Sequence, residues 1–429
     1  MTKQFFMPRV PRVPRVPRGT SDILPSEIFQ WQDIEAKARR LLVTYNFAEI
    51  RTPIFEQTSL FKRSLGQTSD VVNKQLLELV SSDKEEGFAL RPEGTASVAR
   101  SYIENSMDRQ GGISKLFYIG AMFRGERPQK GRLRQFHQIG VEVIGASTAT
   151  PYLDAEMIAL NVALLQALGV KDFRLKINTL GSPQDKENFS KALRKSLQPD
   201  VNNLCEDCQD RFERNVFRIL DCKNSACRAI VAKIHLGHGH LSVESQKYYE
   251  QLKDILQSLK VEFEEVPTLV RGLDYYTHTV FEITQSSLGS QDALSAGGRY
   301  NDLVAQLGGP QVDAVGFACG IERILLALPD ENKPQADPLT VYVIALDEKV
   351  FPKAFGIVQK LRGDGIASDM SYKVSSMKSQ MRAADKAGSK YVVIIGEEED
   401  KKGVVALKDM RTGEQKEVNE DRLSELLKG

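Results

Sequence analysis

Between Lys115 and Gly145 apolar and polar residues alternate with a period of two, the pattern of strands with one face on a core. Phe117, Ile119, Ala121 and Phe123 share one face and are answered by Ile139, Val141 and Val143. The opposite face carries Gly120, Met122 and Arg124, then Arg134, Phe136, Gln138, Gly140 and Glu142. A hairpin through the basic loop 125–133 sets Arg124 beside Arg134 and Gly120 beside Gln138. Glycines at 120 and 140 are expected to leave backbone clear for a ligand, ringed by a guanidinium, an amide and a carboxylate.

Helical and extended patterns divide the rest of the chain. An amphipathic helix is predicted from Ser26 to about Tyr45, with Ile28, Trp31, Ala38, Leu41 or Leu42, and Tyr45 on one stripe. The following FAEIRTPIFE reads as a short strand that Pro53 ends or confines to an edge. Phe88 to Leu90 are strand-like, and Arg91 to Thr95 turn into a helix that continues through Val98 and Tyr102. Thr95 is expected to cap that helix, with Glu93 facing outwards near its positive end. A helix over Asp154–Leu168 and a strand at RLKINTLG follow. Residues 183–262 are rich in lysine and glutamate, helical in period and free of glycine until Gly237, so they read as a helical insertion.

Strand chemistry returns at RGLDYYTHTVFEIT, residues 271–284, where a bend at Gly272 would let Arg271, Tyr275 and Tyr276 share a site. The glycines of LSAGGRYNDL are consistent with backbone running close to a ligand. In AVGFACGIERILLAL, a strand followed by a helix, Gly316, Ala318 and Gly320 point one way and leave a floor for a planar ring. Arg323 falls in the helix's first turn, where a cation opposes the dipole unless an anion comes there. Residues 329–338 read as a polar, proline-rich linker, and 339–429 as a small α/β domain with a mixed sheet. Residues 1–18 contain the repeat PRVPRVPRVPR, an extended basic arm.

Composition narrows the class. A chain of 429 residues exceeds one compact core, and 41% hydrophobic with 27% charged residues is ordinary for a globular protein. Fifty-eight basic against 57 acidic side chains give +1, so any nucleic-acid contact must come from local patches. The absence of a long apolar run leads us to expect no membrane anchor, and five cysteines point to the reducing cytoplasm. Four of these form C-x2-C and C-x4-C pairs separated by thirteen residues, Cys205, Cys208, Cys222 and Cys227. Tetrahedral zinc accepts such a set, but the intervening DRFERNVFRIL reads as helix and unligated buried thiols are the expectation. His235, His238 and His240 of HLGHGH are expected in an exposed loop.

Several stretches resemble a known family. FRGERP…RQFHQIGVEVIG is similar to the second signature motif of class II aminoacyl-tRNA synthetases, AVGFACGIERILLAL to the third, and the segment ending TPIFE to the first. RGTSDILP, LRPEGTA, RGLDYYT and SAGGRY together resemble the histidyl-tRNA synthetase family, a likeness running from about Arg18 to the C-terminus. It implies an α+β catalytic domain (residues 19–328) on an antiparallel sheet, interrupted by the helical insertion, and an anticodon-binding domain over 339–429. It also implies a homodimer, ATP as substrate with Mg2+ carried on it, and L-histidine and tRNA(His) as partners.

Residue roles follow from that resemblance. Arg124 is expected on the α-phosphate and the amino-acid carboxylate, Arg323 on the terminal phosphates beside Gly320, and Arg271 on the α-phosphate from the histidine side. Glu93, Thr95 and Gln138 are assigned to the α-ammonium of histidine, with Gly94 also in the histidine site. Glu142 and Tyr276 are assigned to the two imidazole nitrogens, and Tyr275 to the pocket wall. Arg127, Lys130, Arg132 and Arg134 would meet the acceptor stem. Apart from the resemblance, His137 falls on the apolar face of the hairpin and reads as a core histidine. The alternative is a synthetase-like regulatory subunit that binds histidine and modulates ATP phosphoribosyltransferase. The arginine set and residues 338–429 favour the enzyme.

Overall fold

The computed structural model describes residues 14–66, 69–80, 87–234, 237–329 and 338–428. Most of the basic arm, nearly all of linker 329–338 and His235 lie outside them. The chain divides into two compact units, Met1–Pro334 and Gln335–Gly429.

The first unit is organised by an eight-stranded sheet. Its strands run in the order Ala48–Glu49, Ser114–Phe123, Gln135–Gly145, Asp313–Gly320, Ala293–Arg299, Thr277–Thr284, Arg174–Thr179 and Glu264–Glu265. The six inner strands pair antiparallel, and a two-residue strand adds in parallel at each edge. The hairpin has the expected register, with Gly120 opposite Gln138 and the Arg124 amide donating to the Arg134 carbonyl at 2.8 Å.

Each face of the sheet carries its own core. On one, Phe117, Ile139, Val141 and Val143 pack against helices Ile28–Thr44, Pro151–Ala167, Val243–Ser258 and Ile321–Ala327. The first helix buries Trp31, Ile34, Ala38 and Leu42, a stripe of spacings three and four, while Ile28, its first residue, stays exposed. The helix Pro151–Ala167 starts three residues before the predicted Asp154, because Thr150 caps it and Pro151 occupies its first position. On the other face Tyr118, Met122, Tyr275, Tyr276 and Tyr300 pack with helices Thr58–Ser64 and Thr95–Glu104.

The helical insertion is smaller than the sequence suggests. Its separate core is drawn from residues 193–231. The helix Val243–Ser258 instead gives Tyr249, Leu252 and Leu256 to the main core, since its apolar stripe is matched by the helix Pro151–Ala167. His238 and His240 are packed rather than exposed. His238 Nε2 is 3.1 Å from Asn178 Oδ1, and His240 stacks on Phe189 at 4.2 Å.

The second unit has five strands in the order Ser368–Met370, Val341–Ala345, Tyr391–Ile395, Val404–Asp409 and Gln415–Asn419. The first three are parallel and the last two antiparallel, the mixed sheet expected. Helices Phe351–Gly363 and Met377–Lys386 supply the crossovers between its parallel strands.

Candidate active site

A cleft of about 480 Å3 opens on the tyrosine-bearing face of the large sheet, within the range of small-molecule sites. Arg124, Arg132, Arg271 and Arg323 line it, as do Glu93, Thr95, Gln138, Tyr275, Tyr276, Gly316, Ala318 and Gly320.

The arginines are held by backbone carbonyls and carboxylates. Arg124 Nε donates to the Pro92 carbonyl at 2.9 Å and its guanidinium lies over Phe136. Arg323 donates to the carbonyls of Gly131 and Ala293 at 2.9 and 2.7 Å. Arg271 Nη1 reaches Glu282 Oε2 at 2.5 Å, while its Nε is buried without a partner. Burial pulls the pKa of Arg124 down, with Arg271 adding to the effect. Burial also depresses Arg323, reinforced by Arg124 and Arg132. Buried guanidiniums gathered on one cleft form a receptor for a multiply charged anion.

Beside the arginines lies a more enclosed pocket. Glu93 is buried and accepts from the backbone amides of Thr95 and Ala96, both at 2.9 Å, so this carboxylate caps the helix rather than facing outwards. Thr95 does not cap. Its hydroxyl donates to Glu142 Oε1 at 2.7 Å. Gln138 Oε1 is buried without a hydrogen-bond partner, so the site holds an acceptor that a ligand donor would satisfy. Burial raises the Tyr276 phenol to about 12, leaving it a hydroxyl at neutral pH.

Glu142 departs from expectation. It is 1% exposed and lies outside the residues that line the cleft, behind Thr95, Tyr118 and Tyr300. All three donate hydroxyls to it. Burial, with Glu93 adding, raises its carboxyl to about 8. Gly94, the residue preceding the helix, is also outside the lining.

The hairpin glycines do not clear a ligand platform. A β-carbon on Gly140 would lie 2.0 Å from Tyr118 Cζ, and one on Gly120 would lie 2.7 Å from Arg91 Nη2. The protein's own side chains fill both spaces. Gly297 and Gly298 likewise make room for packing, against Phe317 and Tyr276, and Gly316 makes room for Glu142. Gly320, with nothing closer than 3.8 Å, leaves open floor. Arg271, Tyr275 and Tyr276, which could not all share one face of a flat strand, all line the cleft because 271–276 precede the strand, which begins at Thr277.

Tyr118, Tyr300, Glu282 and Arg218 also line the cleft and were not foreseen. Tyr118 shares parity with Gly120 and Met122, so alternation alone would have placed it there. Arg218 carries no local signal. Arg132, expected on the acceptor stem, turns into the cleft and pairs with Glu126, while Arg127 and Lys130 remain exposed on the loop. His137 is half-buried rather than apolar-packed alone: Nδ1 lies 2.9 Å from Glu322 Oε1, and its ring meets Trp31 edge-on.

The sheet, its two flanking layers and the C-terminal mixed sheet define a class II aminoacyl-tRNA synthetase fold. Residues 19–324 match the family model described as "Histidyl-tRNA synthetase", and residues 340–429 match "Anticodon binding domain". The chain is 44% identical to the histidine–tRNA ligase of Halothermothrix orenii over 403 residues, covering 94% of this chain and 96% of that one. It is 45% identical to that of Bacillus cytotoxicus over 406 residues, covering 94% and 95%. The crystal structure of apo Staphylococcus aureus histidyl-tRNA synthetase superposes with a TM-score of 0.80 at 36% identity, covering 97% of this chain and 100% of that one. The chain belongs to the histidyl-tRNA synthetase family.

Proposed function

We propose that this cleft activates L-histidine with ATP and passes the histidyl group to the 3′ end of tRNA(His). A histidine carboxylate oxygen attacks the α-phosphorus, an O–P bond forms, and the bond to the β-phosphate breaks to expel pyrophosphate. Both substrates and the transition state are anionic, so fixed cations supply most of the stabilisation. Arg124 and Arg271 act at the α-phosphate, Arg323 at the terminal phosphates beside Gly320, and Arg132 joins them. In the second step the terminal ribose hydroxyl attacks the histidyl carbonyl and AMP leaves.

The observation that carries this reading is the junction of Arg124, Arg132, Arg271 and Arg323 with a buried, unpartnered Gln138 Oε1, Arg218 being a fifth guanidinium on the lining. Gln138 and Glu93 take the α-ammonium. The imidazole meets Tyr276, with Tyr275 as wall and Glu142 beneath. Rejection of an apolar analogue follows from the polar groups it would leave unpaired. Mg2+ enters as part of the nucleotide substrate, held by phosphates and water. Among the cleft carboxylates, Glu282, Glu322 and Glu126 are already paired with Arg271, His137 and Arg132.

Residues 339–429 read anticodon bases, Arg127 and Lys130 position acceptor-stem phosphates, and the working unit is a cytoplasmic homodimer. No helix among the described residues is long and apolar enough to cross a membrane. A regulatory subunit modulating ATP phosphoribosyltransferase would need neither the arginine cluster nor the anticodon module. Charging of a tRNA(His) transcript with labelled histidine tests the proposal: ester formation dependent on ATP is expected, and a chain that binds histidine but never charges the transcript would overturn it.

A further inference from the structure

The four cysteines of the insertion converge. Cys205 sits at the start of the helix Glu206–Arg214 and Cys208 in its first turn, Cys222 follows the short helix Phe217–Leu220, and Cys227 lies in Ser225–Val231. All four Sγ atoms lie within 4.8 Å of one another, and those of Cys205 and Cys222 are 3.9 Å apart. Tetrahedral zinc with Zn–S bonds of about 2.3 Å requires sulfur–sulfur edges of roughly 3.8 Å, so small movements close the site. All four are free thiols in the structure.

The surroundings fit a charged sulfur cluster. The Cys205 amide donates to Cys227 Sγ at 3.2 Å, the Asn224 amide to Cys222 Sγ at 3.5 Å, and Arg211 Nη1 lies 3.9 Å from Cys208 Sγ. Donors aimed at sulfur offset the negative charge of four thiolates around a dication. The local core is small, and the helices joining the cysteines have four, seven and nine residues, too short to be stable without strong tertiary support. We propose that Cys205, Cys208, Cys222 and Cys227 bind one structural zinc ion as four thiolates, which knits residues 204–231 together.

This metal knot supports one side of the cleft. Asp221 and Lys223, the neighbours of Cys222, line it together with Arg218. Arg211 and Arg218 both bond Asp70, at 2.8 and 3.1 Å, tying the insertion to the catalytic body. Loss of the ion would therefore loosen a wall of the nucleotide site without removing any group that contacts it.

Elemental analysis of the full chain, purified under reducing conditions without chelator and again after zinc reconstitution, tests the proposal. About one zinc per chain is expected, lost in Cys205→Ser and Cys222→Ser. Cobalt substitution should give a thiolate-to-metal charge-transfer band and a tetrahedral ligand-field spectrum. Less than about a tenth of an equivalent of zinc after reconstitution, with four freely titrating thiols, would overturn it. So would iron in place of zinc, a disulfide within the set, or full zinc retention in folded serine variants. The wild-type stoichiometry decides the matter even where a variant fails to fold.

Discussion

Tyr118 fills the space that Gly140 leaves. The two residues face each other across the central hairpin, and a β-carbon on Gly140 would fall 2.0 Å from the tyrosine's Cζ. The same ring occupies the place of a side chain at Gly94, where the approach would be 2.2 Å. Tyr118 is thus wedged between the sheet and the entry to helix Thr95–Glu104, holding Thr95 and Glu142 in range of one another.

Gly140→Ala should displace that ring. Overpacking of this kind costs about 1–3 kcal/mol, so calorimetry should show a Tm lower by several degrees and kinetics a weakened histidine site. Adding Tyr118→Ala should cost less Tm in the Gly140→Ala background than in the parent, because the clash is already relieved. A Gly140→Ala chain as stable and active as the parent would show that the contact carries no constraint.

Arg271→Ala should abolish adenylate formation while circular dichroism stays native. The substitution strands Glu282, so Arg271→Ala with Glu282→Gln separates charge balance from chemistry. If either chain kept activity within about tenfold, a difference below ~1.4 kcal/mol, Arg271 would have no place in the transition state.

Arg132→Ala should raise the KM for ATP at least several-fold and leave that for histidine nearly unchanged. This distinguishes a nucleotide contact from the acceptor-stem role that the family resemblance implies. A defect confined to tRNA charging, with activation intact, would restore the earlier assignment.

Glu142 should leave a pH signature. With its carboxyl raised by burial to about 8 in the folded chain, against the ordinary glutamate value of 4.5, the unfolded chain releases this proton first as pH rises. The folded state therefore loses ground between those values, and the trend levels off above the upper one. The Tm difference between the parent and Glu142→Gln should shift in that direction from pH 5 to 8; an opposite slope would contradict a buried neutral carboxyl. In kinetics, Glu142→Gln should harm histidine binding more than ATP binding, and equal losses would remove Glu142 from histidine selection.

The hairpin was legible because a period of two leaves little freedom once one face must be apolar. Its register follows once the basic loop 125–133 closes as a simple hairpin. The purpose of the glycines was not legible. Whether Gly140 clears space for a ligand or for a ring depends on Tyr118, whose own rotamer no pattern specifies. Local reading also misplaced the insertion's end, since the stripe of Val243–Ser258 looks the same whichever core receives it. Arg132 and Arg218 show the same limit: a basic residue in a loop or short helix declares its charge, and only the fold decides which anion it meets.

The most direct test of a cleft built for one amino acid and a triphosphate is ATP–pyrophosphate exchange run with each of the twenty amino acids. Exchange with histidine, exceeding every other by roughly 10^4 or more, is the predicted result. Exchange driven equally well by another amino acid, or none with histidine present, would contradict the account.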